Sequence, residues 1–167
     1  MGLNGSALYG ADQVAYRIVV RQSEEGDVVG LTAEQVEALI RNGVPMAEDI
    51  DLRVERMDEQ GALARVPFQP RLVRPGGTLS GPTIMALADA AMYAVVLGRL
   101  GKVEMAVTSN LNINFLARPR PVDLLAEAHI LKLGRRQAVC EVSLYSHGAE
   151  EDLVAHVTGT YSLPLID

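Results

Sequence analysis

One segment restricts the fold of this chain more than any other. Residues 82–100 read P-T-I-M-A-L-A-D-A-A-M-Y-A-V-V-L-G-R-L, and between Thr83 and Gly98 the only ionisable carboxylate is Asp89. Pro82 suits the first position of a helix, and Gly98 and Gly101 suit its end. At 100° per residue, Met85, Met92 and Val96 form one apolar stripe with Asp89 in its middle, while Ile84, Leu87, Ala88, Ala91 and Val95 cover the opposite side. A helix apolar on all sides has to be buried on all sides. The rest of the chain must therefore wrap it.

The wrapping is legible as strands. Val107, Leu111, Ile113 and Phe115 alternate with polar residues, and strand-like runs follow over 122–133, 137–145 and 153–163, with Gly134 and Gly148 at two turns. Short connections of this kind favour antiparallel neighbours. Upstream, Ile50, Leu52 and Val54 alternate with charges, and beyond a turn at 58–61 a second run reaches Phe68, which predicts a hairpin. Pro67, Pro70, Pro75, Gly76 and Gly77 make 67–79 a loop. At T-A-E-Q, Thr32 reads as the N-cap and Gln35 as N3 of a capping box, ahead of Val36, Leu39 and Ile40 at helical spacing; Gly43 and Pro45 stop that helix. Residues 1–30 show only a short apolar run at 18–20 and read as an N-terminal extension, leaving 31–167 as one domain. The predicted class is α+β, an antiparallel sheet of five to six strands around a long central helix. One such sheet has too little surface to enclose the helix completely, so a second copy of the chain is expected against the uncovered face.

Composition sets the surroundings. With 49% hydrophobic residues in 167, the chain can bury an ordinary core. A net charge of −6 and the absence of Trp argue against nucleic acid as a partner. The single cysteine allows no intrachain disulfide. The opening has no basic region followed by an apolar run, and no stretch is expected to reach the roughly 18 apolar residues of a bilayer span. These features predict a cytoplasmic protein with no membrane partner.

The candidate chemistry centres on Asp89. Burying a lone carboxylate costs several kcal/mol unless it is paired or solvated, so an aspartate on an apolar helix has either a hydrogen-bond donor on a neighbouring strand or a chemical task. Upstream, Ser80-Gly81-Pro82-Thr83 brings unpaired backbone N–H groups to the positive end of the helix, where a developing oxyanion is stabilised. Pro82 has no N–H, which leaves Gly81, Thr83 or Ile84 as donors. Ser80 as a nucleophile lacks the G-x-S-x-G elbow and a specified histidine base. Cys140 alternates with Ala138, Val142 and Leu144 and reads as core. His129, His147 and His156 are scattered without ligand spacing, so no metal site is expected. Arg118, Lys132, Arg135 and Arg136 lie at strand ends or turns, either as a solvated surface or as partners for phosphates.

The run R-P-G-G-T-L-S-G-P-T-I-M-A-L-A-D-A-A resembles the helix start of PaaI-type (phenylacetate-degradation) hot-dog thioesterases. That family has H-G-G followed by an L-x-D aspartate nine residues after the histidine; here the spacing runs from Ser80 to Asp89, with Gly81 as the first glycine. V-T-S-N-L-N-I-N-F-L-A-R-P resembles the family's next strand, and G-T-Y near the C-terminus also fits. The resemblance covers about residues 46–163. It implies a hot-dog fold and hydrolysis of an acyl-CoA or related thioester, with coenzyme A entering as part of the substrate and no separate cofactor. It further implies Asp89 as nucleophile or general base and the Gly81 amide as oxyanion donor. Thr108 falls where the family often has a hydroxyl that positions water or the carboxylate, with Ser109 as its rival on the opposite strand face. The family also implies a homodimer or dimer of dimers with each pocket shared between subunits. Three departures stand out: Ser80 replaces the histidine, Pro82 the second glycine, and Arg74 an asparagine that touches the thioester. A non-catalytic acyl-CoA binding or regulatory module is the alternative. A dehydratase of the same fold needs a catalytic histidine, and residues 1–128 contain none.

Overall fold

The computed structural model describes residues 30–164, so the N-terminal extension read at 1–30 lies almost wholly outside the described residues. The elements run α1 (Ala33–Gly43), α2 (Pro45–Asp49), β1 (Arg53–Met57), β2 (Ala62–Val66), β3 (Val73–Arg74), β4 (Thr78–Leu79), α3 (Gly81–Leu100), β5 (Val107–Phe115), β6 (Leu124–Leu133), β7 (Gln137–Ser146) and β8 (Ala149–Ser162). Six strands form one antiparallel sheet in the order β1-β2-β6-β7-β8-β5. The α+β class and the long helix packed on an antiparallel sheet are as the patterning predicts.

Local expectations hold where the chemistry is local. Thr32 caps α1 with its side chain, and the Gln35 side chain returns the bond to the Thr32 amide at 2.9 Å. The β1–β2 turn closes through Asp58, whose Oδ1 accepts from the amides of Gln60 and Gly61 at 2.8 and 3.0 Å. Other boundaries shift. Pro45 restarts a helix as well as ending one, because its missing N–H costs nothing in a first turn; α2 is the result. The same tolerance lets α3 begin at Gly81, one residue before Pro82. The 67–79 loop contains a 3₁₀ turn at Pro70–Leu72 and the two-residue hairpin β3–β4.

The helix α3 packs across β2, β6 and β7, where Ala64, Ala126, Ala128, Ala138 and Cys140 are fully buried. Small side chains on both surfaces let helix and sheet approach closely. By length and composition α3 would also pass as a bilayer span, contrary to the sequence expectation, but eleven of its residues are buried in this fold. Leu87, Ala88, Ala91, Met92, Ala94 and Val96 have no exposure.

Its burial is nevertheless one-sided. Pro82 and Met85 are exposed, and Ala86, Asp89, Ala90 and Tyr93 are half-buried. These positions recur at three and four residues and form a single uncovered stripe. Asp89 therefore lies on this stripe with Met85, whereas Met92 and Val96 turn into the core. The predicted Met85–Met92–Val96 stripe is covered unevenly along the helix: Met92 stands within about 20° of Met85 two turns earlier, but Met92 packs over Gly159 of β8 and is buried, whereas Met85 is exposed.

Candidate active site

Gly159 and Tyr161 alternate on the buried face of β8 and meet successive turns of α3. A Cβ on Gly159 would lie 2.6 Å from the Met92 sulfur and 2.9 Å from the Asn110 carbonyl oxygen, so only glycine fits beneath Met92. Two residues along, Tyr161 is 4% exposed and reaches Asp89, one helical turn before Met92. The phenol donates to Asp89 Oδ1 at 2.9 Å and also lies 3.2 Å from the Asp89 carbonyl oxygen. Burial first, and then the charge of Asp89, push the Tyr161 phenol well above its ordinary pKa, so it remains a proton donor. Its ring stacks on Tyr93 at 5.7 Å and 7°, and the Tyr93 hydroxyl donates to the Glu104 carbonyl at 3.2 Å.

Thr108 completes the set, its Oγ1 donating to Asp89 Oδ1 at 2.7 Å. The parity question between Thr108 and Ser109 is answered by a bulge: Thr108 pairs with Tyr161 and Asn110 with Thr160, leaving Ser109 unpaired between them. Ser109 Oγ instead donates to the Thr160 carbonyl at 3.1 Å. Asp89 thus has donors on neighbouring strands, but they are neutral hydroxyls converging on one carboxylate oxygen.

That carboxylate borders an open groove of about 760 Å³ between α1–α2 and α3. Leu39, Val44, Met46 and Ile50 face Ala86, Ala90 and Tyr93 across it. The α1–α2 corner is braced by Arg41, which donates to Glu48 at 2.6 Å and Asp51 at 2.8 Å; the Arg41 bond holds the Asp51 carboxyl below the usual carboxylate range. An apolar trough with one polar cluster on its wall suits a ligand with an apolar chain beside a reactive polar group.

The other predicted residues are placed elsewhere. Ser80 is the N-cap of α3, and its hydroxyl pairs with that of buried Thr83 at 2.8 Å. Gly81 opens the helix eight residues ahead of Asp89, about 12 Å along the axis at ~1.5 Å per residue. Within one chain its amide and the Asp89 carboxylate cannot serve the same carbonyl. The Ile84 amide is engaged by the Ser80 carbonyl at 3.2 Å, which leaves Gly81 and Thr83 as candidate oxyanion donors.

Arg74 and Arg118 are exposed at the Gly81 end, where the β3–β4 hairpin is tied to Pro119 by the Thr78 hydroxyl at 3.1 Å. Arg135 and Arg136 are exposed in the β6–β7 turn, at the end of the sheet where Gln137 and Val107 both pair with Ser162. None of His129, His147 and His156 borders the Asp89 groove; they contact the Gln60 carbonyl, Glu150 and Glu141 respectively. Cys140 is fully buried, and burial pushes its thiol up to about 12. A thiol reagent at pH 8 should therefore leave native Cys140 unmodified and label it only on unfolding; rapid labelling of folded protein would contradict the core assignment.

Sequence reasoning missed Tyr161 and Tyr93 as parts of the site. The G-T-Y motif was visible, but only the pairing of β5 with β8 puts its tyrosine beside an aspartate 72 residues away.

A six-stranded sheet with one long helix and a carboxylate on that helix facing an apolar groove defines a class, and the comparisons agree with it. The Thioesterase superfamily model matches residues 76–151. A Saccharolobus solfataricus protein given the provisional name of esterase is 30% identical over 113 residues, 67% of this chain and 73% of that protein. A Silicibacter crystal structure provisionally named a thioesterase is 36% identical with a TM-score of 0.73, covering 83% of this chain and 94% of that one. The Escherichia coli PaaI protein from the phenylacetic acid degradation operon shares the fold, with a TM-score of 0.65, 20% identity, and 79% and 93% coverage. This chain belongs to the hot-dog-fold thioesterase superfamily.

Proposed function

We propose that the chain is a PaaI-like, cytoplasmic acyl-CoA thioesterase that works as a homo-oligomer, with Asp89 as its catalytic carboxylate. The observation that carries this reading is Asp89 itself: a carboxylate on an otherwise apolar helix, held through Oδ1 by two hydroxyls and bordering an apolar groove. As general base, Asp89 takes a proton from water while the water oxygen bonds to the thioester carbonyl carbon. The carbonyl then re-forms, the C–S bond breaks, and the leaving thiolate takes the proton. As nucleophile, Asp89 bonds to that carbon, expels the thiolate and leaves an anhydride that water hydrolyses. Both routes need a donor at the carbonyl oxygen.

Geometry supports a second subunit as the source of that donor. Among the described residues β5 is an unpaired edge of the sheet, whose Thr108 touches Asp89 and whose Phe115 lies beside Gly81, 3.6 Å from where a Cβ would sit. Two copies joined antiparallel edge to edge, centred on Leu111, bring the Thr108 end of one to the Phe115 end of the other. Asp89 then faces Gly81 of the partner subunit. Exposed Met85, Val107, Phe115 and Leu116 gather along this side and would be covered. The same arrangement brings the partner's Arg74 and Arg118 toward Arg135 and Arg136, and the resulting cations suit the phosphates of coenzyme A.

Light scattering should give two or four times the chain mass of 18.0 kDa. A monomer at micromolar concentration with full turnover would rule out the shared site. The activity test is thiol release from a panel of aromatic and medium-chain acyl-CoA thioesters, with binding measured alongside. Ser80 and Arg74, in place of the family's histidine and asparagine, favour the alternative of a binding or regulatory module. Binding without thiol release would establish that alternative.

A further inference from the structure

The placement of Tyr161 goes beyond what a thioesterase reading requires. Asp89 Oδ1 accepts from Thr108 on β5 at 2.7 Å and from Tyr161 on β8 at 2.9 Å. Among the described residues the donors to the Asp89 carboxylate both end on Oδ1, and Oδ2, which receives none, is not enclosed. The two carboxylate oxygens are therefore unequal: one is tied to the sheet and the other is open.

We propose that Tyr161 is a positioning residue, acting with Thr108 to fix the Asp89 carboxylate by Oδ1 so that Oδ2 is the oxygen that reacts. This inference rests on Asp89 being the catalytic carboxylate. The terminal torsion of an aspartate is broad, so a carboxylate on a half-open helix face samples many orientations unless something holds it. Two hydroxyls from adjacent strands, at 2.7 and 2.9 Å, restrict that rotation. The Tyr161 oxygen also lies 3.2 Å from the Asp89 carbonyl, which ties the position to the helix backbone. A phenol suits the task better than Lys or Arg, because it donates a hydrogen bond without neutralising the carboxylate. The stack on Tyr93 fixes the phenol in turn. Holding reacting groups in orientation is a large part of catalysis, and displacement by about 1 Å can cost about 100-fold.

The discriminating variant is Tyr161→Phe, which keeps the ring and its stack and removes only the hydroxyl. Its kcat on the best thioester of the panel should fall about tenfold, the order of one hydrogen bond to a charged group, with KM within about twofold because no substrate contact is lost. Thr108→Val should behave alike. The double variant should lose more than the product of the two single losses, because the last hold on Oδ1 disappears only then. Wild-type kcat in Tyr161→Phe, or losses that simply multiply, would overturn the proposal. So would a lowered melting temperature with kcat per folded molecule intact, which would make the tyrosine structural. Asp89→Asn run beside them separates the two ideas: full turnover there removes the catalytic aspartate, whereas lost turnover there with an unaffected Tyr161→Phe removes only the positioning role. A readout independent of turnover is the crystal structure of the double variant. A changed or split Asp89 rotamer supports the proposal, and an unchanged one overturns it.

Discussion

Asp89→Asn should reduce thioester hydrolysis by roughly 100-fold or more while leaving the protein folded, the magnitude general-base contributions usually have. Asparagine is nearly isosteric and retains one carbonyl-type oxygen, which can accept from Thr108 and Tyr161 as Oδ1 does now. Packing around the site changes little, because Asp89 sits on the uncovered stripe of α3 and not in its core. The loss is chemical: an amide can neither take the proton from water nor attack a carbonyl carbon. Acyl-CoA binding should therefore survive. The opposing outcome is specific. If the two hydroxyl bonds exist only to hold β5 and β8 against α3, the variant loses melting temperature and keeps its activity per folded molecule. Measuring both on one preparation decides the matter.

Gly81→Val should cost on the order of 100-fold in turnover, the usual consequence of losing one oxyanion-hole donor, and far less in stability. A Cβ at Gly81 would meet only Phe115, at 3.6 and 3.9 Å, which is ordinary contact. The backbone there needs no positive φ. The fold thus has room for the side chain, while the two branches of valine at the first helical position would stand over the amide and exclude a thioester oxygen. Gly81→Ala should fall between the two. Wild-type kcat in a folded valine variant would pass the oxyanion role to the Thr83 amide, since the Ile84 amide is already committed to the Ser80 carbonyl.

Much of this arrangement is written in short-range patterns. The capping box at Thr32, the Asp58 turn and the alternation along β7 depend on neighbours within a few residues, and each forms as its sequence indicates. The prominence of Asp89 is equally local, because an ionised side chain in an apolar helix is conspicuous wherever the helix goes. Boundaries were less legible. Pro45 is compatible with both the end and the start of a helix, and only packing of α2 beside α1 decides between them.

By itself, the sequence determined that a long apolar helix must be wrapped by antiparallel strands and that one aspartate on it calls for an explanation. Both follow from periodicity and from the cost of burying charge, which are properties of single segments. Tertiary structure alone decided which side of α3 stays open, that Thr108 and not Ser109 reaches Asp89, and that Tyr161 arrives beside them. Those outcomes depend on a bulge between β5 and β8 and on strand order. Register between distant segments is set by the packing of the whole sheet against the helix, and no spacing within either segment encodes it.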